Sequence, residues 1–186
     1  MLRSFGDIFQ VPELRKKVLF TLAVLVAYRF GAVVPLPGIN GEALKVLFES
    51  QRHTLLGFLD IFSGGALRRF SIFSMGIMPY INASIIMSLL QGAHVIPFLD
   101  HLAKEGELGR KKLNQITRYL TLGLGAIQSF GLVFSLTKLP TPGGMAVVDN
   151  PGVQFYFLSV ITLVAGTIFV MWLGEQITEF GIGNGI

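Results

Sequence analysis

The chain has no cysteine among its 186 residues. That absence excludes a disulfide scaffold and any cysteine-based metal site. Charge is scarce as well: 14% of residues are Asp, Glu, Lys or Arg, well below the roughly 25% usual in soluble domains. The only histidines are His53, His94 and His101, none of them in a His-Glu-x-x-His or comparable metal-binding motif. No Gly-x-Ser-x-Gly occurs, and Gly64-Gly65 and Gly143-Gly144 are not followed by the lysine of a phosphate-binding loop. No catalytic residue, cofactor or metal is therefore expected, and the chain reads as a protein that is not an enzyme.

What fills the sequence is apolar. Hydrophobic residues make up 52%, and the mean hydropathy is +0.64. Three stretches, 70–99, 119–137 and 150–174, run without any Asp, Glu, Lys or Arg, and 18–41 holds only Arg29. A spanning helix needs about 20 mostly apolar residues, so the pattern predicts an all-α polytopic membrane protein with four spans. The boundaries read as an N-terminal segment 1–17, span 18–36, a loop 37–69, span 70–96, a basic loop 97–118, span 119–137, a loop 138–152, span 153–173 and a tail 174–186. Residues 18–31 do not form a cleavable signal peptide, because no small-residue cleavage site follows them.

The net charge of +4 is unevenly placed. Nine of the fifteen Lys and Arg fall in 1–17 and 97–118, against five in the two opposite loops. Excess Lys and Arg mark the cytoplasmic side, which puts the N-terminus and the basic loop inside. That reading also accounts for the basic residues without invoking nucleic acid. Arg29, near the outer end of its span, can snorkel to the interface.

The second span is the unusual one. Before it lies an apolar stub, 60–69, too short to cross and interrupted by Gly64-Gly65; Gly76 and Pro79 then weaken and kink the helix they enter. Two readings stay open for the stub: a half-helix broken from the span, tolerated only inside protein or along a water-filled cavity, and an amphipathic helix lying on the outer leaflet. Ile77, Ile81 and Ile85 recur at four-residue intervals as one stripe, a pattern that by itself fits ordinary packing. Asn82 and, in the third span, Gln128 place uncharged amides at membrane depth, where such groups often join helices for about 0.6 kcal/mol each. No acidic residue lies within a span, which argues against proton- or ion-coupled transport.

Several long motifs carry a resemblance. Pro35-Leu36-Pro37-Gly38-Ile39, Phe62-Ser63-Gly64-Gly65-Ala66-Leu67, Gly76-Ile77-Met78-Pro79-Tyr80-Ile81-Asn82-Ala83-Ser84-Ile85-Ile86, Lys104-Glu105-Gly106-Glu107-Leu108-Gly109-Arg110-Lys111-Lys112 and the run from Met171 to Ile186 follow one another in order. Together they resemble the first third of the SecY family, channel subunits of the bacterial protein-conducting translocon.

The resemblance implies a ten-span channel of two inverted halves in the bacterial plasma membrane, passing unfolded secretory polypeptides across and membrane spans sideways into lipid. It implies a plug at Ile61, Phe62, Ser63, Gly64, Gly65, Ala66 and Leu67, a pore ring to which Ile81, Ile85 and Ile77 contribute, and a polar lateral-gate cluster at Asn82 and Gln128. It implies as partners SecE and SecG, the motor ATPase SecA, the ribosome, signal sequences and membrane lipid. The chain stops where a fifth span is expected, so spans five to ten are expected elsewhere in a longer product. Two other classes stay in play: half of a small-solute transporter, and a noncatalytic membrane scaffold.

Overall fold

The computed structural model describes residues 11–50, 57, 61, 65–94, 96–138, 144–148 and 150–185. Its elements are α1 (Pro12–Gly31), α2 (Gly41–Ser50), α3 (Met78–Gly92), α4 (Pro97–Lys104), α5 (Glu107–Lys138) and α6 (Val153–Phe180). No strand occurs among the described residues; two isolated antiparallel bridges, Pro35 to Ser71 and Ile39 to Val148, are the only sheet-like pairings there.

Among the described residues two helices, α5 and α6, are long and apolar enough to cross a membrane, and α3 with α4 makes a third candidate if the pair, bent by 94°, is one span. At 1.5 Å per residue, the 32 residues of α5 and the 28 of α6 reach about 48 and 42 Å, beyond the roughly 30 Å hydrocarbon layer. Both extend past the runs read from composition. The basic segment read as a loop to 118 is helical from Glu107, because Leu113 buries against Leu99, Leu102 and Met87. At the far end α6 continues to Phe180 rather than stopping near 173.

The other two runs are shorter as helices than as apolar stretches. α1 starts at Pro12 within the charged segment and ends at Gly31, leaving 14 helical residues from Val18 on, about 21 Å. The chain then extends: Leu36 N–H donates to Phe70 O (2.9 Å) and Ile72 N–H to Val34 O (3.1 Å). Residues 70–77, read as the start of the second span, are turns. Gly76, at φ +52°, and Pro79, in the first turn of α3, begin the helix instead of kinking it. Proline suits that position because its missing N–H would have no helical partner there.

Between α1 and those turns lies α2, which the apolar runs did not announce. Asn40 Oδ1 accepts from the N–H of Glu42 (3.0 Å) and of Ala43 (3.2 Å), an N-cap. Ala43, Leu44, Leu47 and Phe48 point into the main core with Leu36, Phe70, Val133 and Leu163.

α5 packs against α3, α4 and α6, and α6 also packs against α1. At the centre the 70–74 turn meets α6 at Gly166, where a Cβ would stand 2.0 Å from Ile72 O. Phe73, 3% exposed, fills the space between α1 and α6, stacked on Tyr28 (5.6 Å) and Phe169 (5.9 Å).

Candidate functional site

The helix that carries the isoleucine stripe has two distinct faces. Pro79, Ala83 and Met87 are its buried residues, spaced four apart and turned to α5, where Pro79 approaches Gly125. Ile81 and Ile85 stand about 160° around the helix from that face, 36% and 51% exposed. The stripe is therefore not what holds α3 to the bundle. Ile77, just before the helix, is partly buried against Phe73 and Val170.

A cavity of about 650 Å³ opens beside this stripe, within the range usual for ligand-binding clefts. Four helices wall it: Val24 and Tyr28 from α1, Ile81 and Asn82 from α3, Gln128 and Ser135 from α5, Val170 and Ile177 from α6. Leu67, Met75 and Ile77 complete it from the turns. Gln128, far away in sequence, thus shares one space with Ile77, Ile81 and Asn82, while Ile85 lies one turn beyond it. Among the described residues no Asp, Glu, Lys, Arg or His lines it. Among the described residues no hydrogen bond joins Asn82 to Gln128.

Of the stub, Asp60, Phe62, Ser63 and Gly64 lie outside the described residues. Ile61 is helical and 77% exposed. Gly65 takes φ +81°, a left-handed conformation that costs other residues dearly. Ala66 and Leu67 are buried, and Ala66 O accepts from Ser71 N–H (3.0 Å) and from Ser74 Oγ (3.2 Å).

One feature of the far end was not read from sequence. Arg118 Nε donates to Glu175 Oε1 at 2.9 Å, and its Nη2 lies 2.7 Å from Oε2. This two-pronged pair fastens α5 to α6 across 57 residues of chain. Composition assigned its partners to a loop and a tail, so only the extended helices bring them together.

Apolar helices around an uncharged cavity define a helical membrane protein, and comparison with known proteins refines that class. A SecY family model matches residues 71–186. The protein translocase subunit SecY of Escherichia coli K12 is 52% identical over 174 residues, covering 94% of this chain and 38% of the relative. That of Buchnera aphidicola is also 52% identical, with 94% and 48% covered, and that of Aquifex aeolicus is 49% identical over 179 residues, with 96% and 41% covered. Among solved structures, Sec61 in the canine ribosome–channel complex of the endoplasmic reticulum superposes with a TM-score of 0.62 at 18% identity, over 97% of this chain and 38% of that one. A SecY structure concerned with how the plug domain stabilises the closed channel gives 0.60 at 20% identity, over 98% and 38%. The chain belongs to the SecY family. It spans between about two fifths and a half of the length of these relatives.

Proposed function

We propose that this chain supplies the first four spans of a ten-span protein-conducting channel in the bacterial plasma membrane, with the N-terminus in the cytoplasm, and that it performs no catalysis of its own. The observation that carries the reading is the unpacked face of α3. Ile81 and Ile85 stand away from the α5 contact, and the cavity at Ile81 is walled mostly by apolar side chains, with the hydroxyls of Tyr28, Ser74 and Ser135 and two amides. Branched apolar groups at a constriction close it to water and ions by dewetting, yet make no directional bonds that would hold a passing chain. Ile81 and Ile85, with Ile77, are this chain's share of such a ring.

Asn82 and Gln128 then form the edge of a lateral gate. With no hydrogen bond between them, their amides remain for the opposing wall or an entering signal helix, each worth only about 0.6 kcal/mol in a membrane. Ile61 through Leu67 form the plug. Its buried Ala66–Leu67 end acts as the fixed root, and Gly65 as the bend above it. The lack of acid or base among the described lining residues favours a passive conduit over a coupled solute carrier. The driving force belongs to partners, the motor SecA or the ribosome, with SecE and SecG as the companion subunits.

The cysteine-free sequence supplies the test. A single cysteine replaces Ile81 or Ile85 in the full-length subunit, a secretory polypeptide carrying a thiol-reactive group is arrested in transit, and the products are run on a gel. Crosslinks should form at both positions and not at Ile161, which lies on the outer face of α6. Translocation that proceeds with crosslinks at none of Ile77, Ile81 or Ile85 refutes the pore assignment.

A further inference from the structure

Little of α1's own surface holds it to the bundle. Of its 20 residues only Val24 is buried, and Val24 with Leu25 and Tyr28 forms one wall of the cavity beside the isoleucine stripe. On the Gly31 side of Val24 the helix is fixed by the stack of Tyr28 on Phe73 (5.6 Å). On the Pro12 side it is met by the segment that follows α6, residues 181–185. There Ile182 N–H donates to Thr21 Oγ1 (3.2 Å) and Gly185 N–H to Thr178 Oγ1 (2.9 Å). Phe20 meets Phe180 edge-on beside them (6.0 Å).

The two threonines use their hydroxyls in the same way. Each donates its proton one turn back along its own helix, Thr21 to Lys17 O (2.9 Å) and Thr178 to Gly174 O (3.1 Å). That bond orients the side chain and leaves oxygen lone pairs for an amide of another segment. Glycine lets the segment lie close. Gly183 takes φ +77°, which other residues resist. A Cβ at Gly181 would stand 2.7 Å from Thr21 Oγ1, and one at Gly185 would collide with Gly174 O. Gly185 thereby reaches the cavity and lines it beside Leu173, Gly174 and Ile177 of α6.

We propose that residues 181–185 are a strap that locks α1 to α6 and so sets the width of the cavity at this end, with Thr21 and Thr178 as its positioning residues. The strap stands on these bonds; its consequence for a passing polypeptide rests on the channel reading. With both amides bound, the α1 wall stays against the α6 wall. With both released, α1 is left hinged at Phe73 and its Pro12 end swings outward.

The test uses the full-length subunit in a nonionic detergent, with spin labels on cysteines that replace Leu19 of α1 and Lys111 of α5, both exposed. α5 serves as the reference because Arg118 ties it to Glu175 of α6. The parent should give one narrow distance population. Thr178→Val keeps the shape and removes the acceptor, and should raise the displaced population about fivefold, the bias of one net hydrogen bond. Thr21→Val/Thr178→Val should raise it about 25-fold on the same basis. Thr21→Ser/Thr178→Ser restores both acceptors and should match the parent, and an unchanged thermal transition separates a freed strap from a lost fold. A single cysteine at Ile81 should also react faster with a water-soluble maleimide in the double valine variant. An undisplaced α1 in that variant overturns the strap, and displacement without faster reaction at Ile81 overturns its control of cavity width. Neither readout needs a polypeptide in transit, so missing crosslinks at Ile77, Ile81 and Ile85 would refute the pore assignment and leave the strap standing.

Discussion

The seam between α5 and its neighbours and the open face of α3 are built from opposite kinds of residue. The buried line of α5 runs Leu113, Thr117, Thr121, Gly125, Ser129 and Val133, one residue every four, and its middle is small or hydroxylic. α6 answers with Ser159, Leu163, Gly166, Thr167 and Val170. The open face of α3 carries the larger side chains, Ile81, Ile85 and Leu89, the last 66% exposed. In water that distribution would be inverted. In lipid, hydrocarbon tails solvate leucine as well as a protein core does, so helices associate where small residues let backbones approach. Size therefore marks the surface that meets lipid or a moving chain, and smallness marks the joint.

The sharpest way to break this contrast is to put bulk into the joint. In Gly166→Leu the new Cβ would lie 2.0 Å from the Ile72 carbonyl oxygen, a backbone atom that no rotamer change can move. We expect a loss of at least about 3 kcal/mol, at the upper end of overpacking costs, read as the shift in a reversible unfolding titration in mixed detergent micelles. Gly123→Ala, with open space around it, should change stability by less than about 0.5 kcal/mol or raise it slightly, because alanine is the better helix former. Equal losses in the two variants would show that the joint of α6 with the 70–74 turn is not set by close approach.

Within α3 itself the two faces can be set against each other. Met87 is 4% exposed and packs with Leu99, Leu102 and Leu113; Met87→Ala should cost about 2 kcal/mol through the cavity it leaves. Ile85→Ala, two positions away, should cost well under 1 kcal/mol in the same titration while altering ion leakage through the assembled channel. A stability loss at Ile85 matching that at Met87 would return the stripe to ordinary packing.

Smaller again is the Arg118–Glu175 pair. Its side chains are 49% and 29% exposed, so solvent screening holds its worth near the exposed-pair range even with two-pronged geometry. A double-mutant cycle of Arg118→Gln and Glu175→Gln should give a coupling of about 0.5–1 kcal/mol, weakening as salt is added. Coupling near zero would mean that α5 and α6 are aligned by their apolar seam alone.

Apolar run length disclosed α5 and α6, because an uncharged stretch of that length has few ways to satisfy its backbone except as a helix. As helix it reached too far in the second run and the first: 70–77 form largely buried turns around Phe70 and Phe73, and after Gly31 the chain turns and extends, with Ala32 and Leu36 buried and Val33 and Val34 exposed. Gly76 and Pro79 marked a helix start, and the same residues allow either a start or a kink until tertiary contacts choose. α2 was legible in principle, from Asn40 ahead of Ala43, Leu44, Leu47 and Phe48, but run length ignores a ten-residue amphipathic helix. At the site, the stripe and both amides could be picked out by residue type. Their sharing of one cavity could not, because it depends on how α1 and α6 close around Phe73.

The finest test of the contrast lies at Ser129, the centre of the α5 line. Its side chain is fully buried, and its Oγ has no hydrogen-bond partner among the described residues. Thr117 and Thr121 on the same line instead donate to the carbonyls of Leu113 (2.9 Å) and Thr117 (2.7 Å) one turn back. If the seam selects Ser129 for its size, the hydroxyl contributes nothing and its desolvation is a net cost. Ser129→Ala should then be neutral or stabilising by a few tenths of a kcal/mol, whereas Ser129→Val should destabilise by about 1 kcal/mol or more. Should Ser129→Ala prove the costlier change, the joint is held by hydrogen bonds rather than by close approach, and the small residues of α5 and α6 would need to be reread as polar ones.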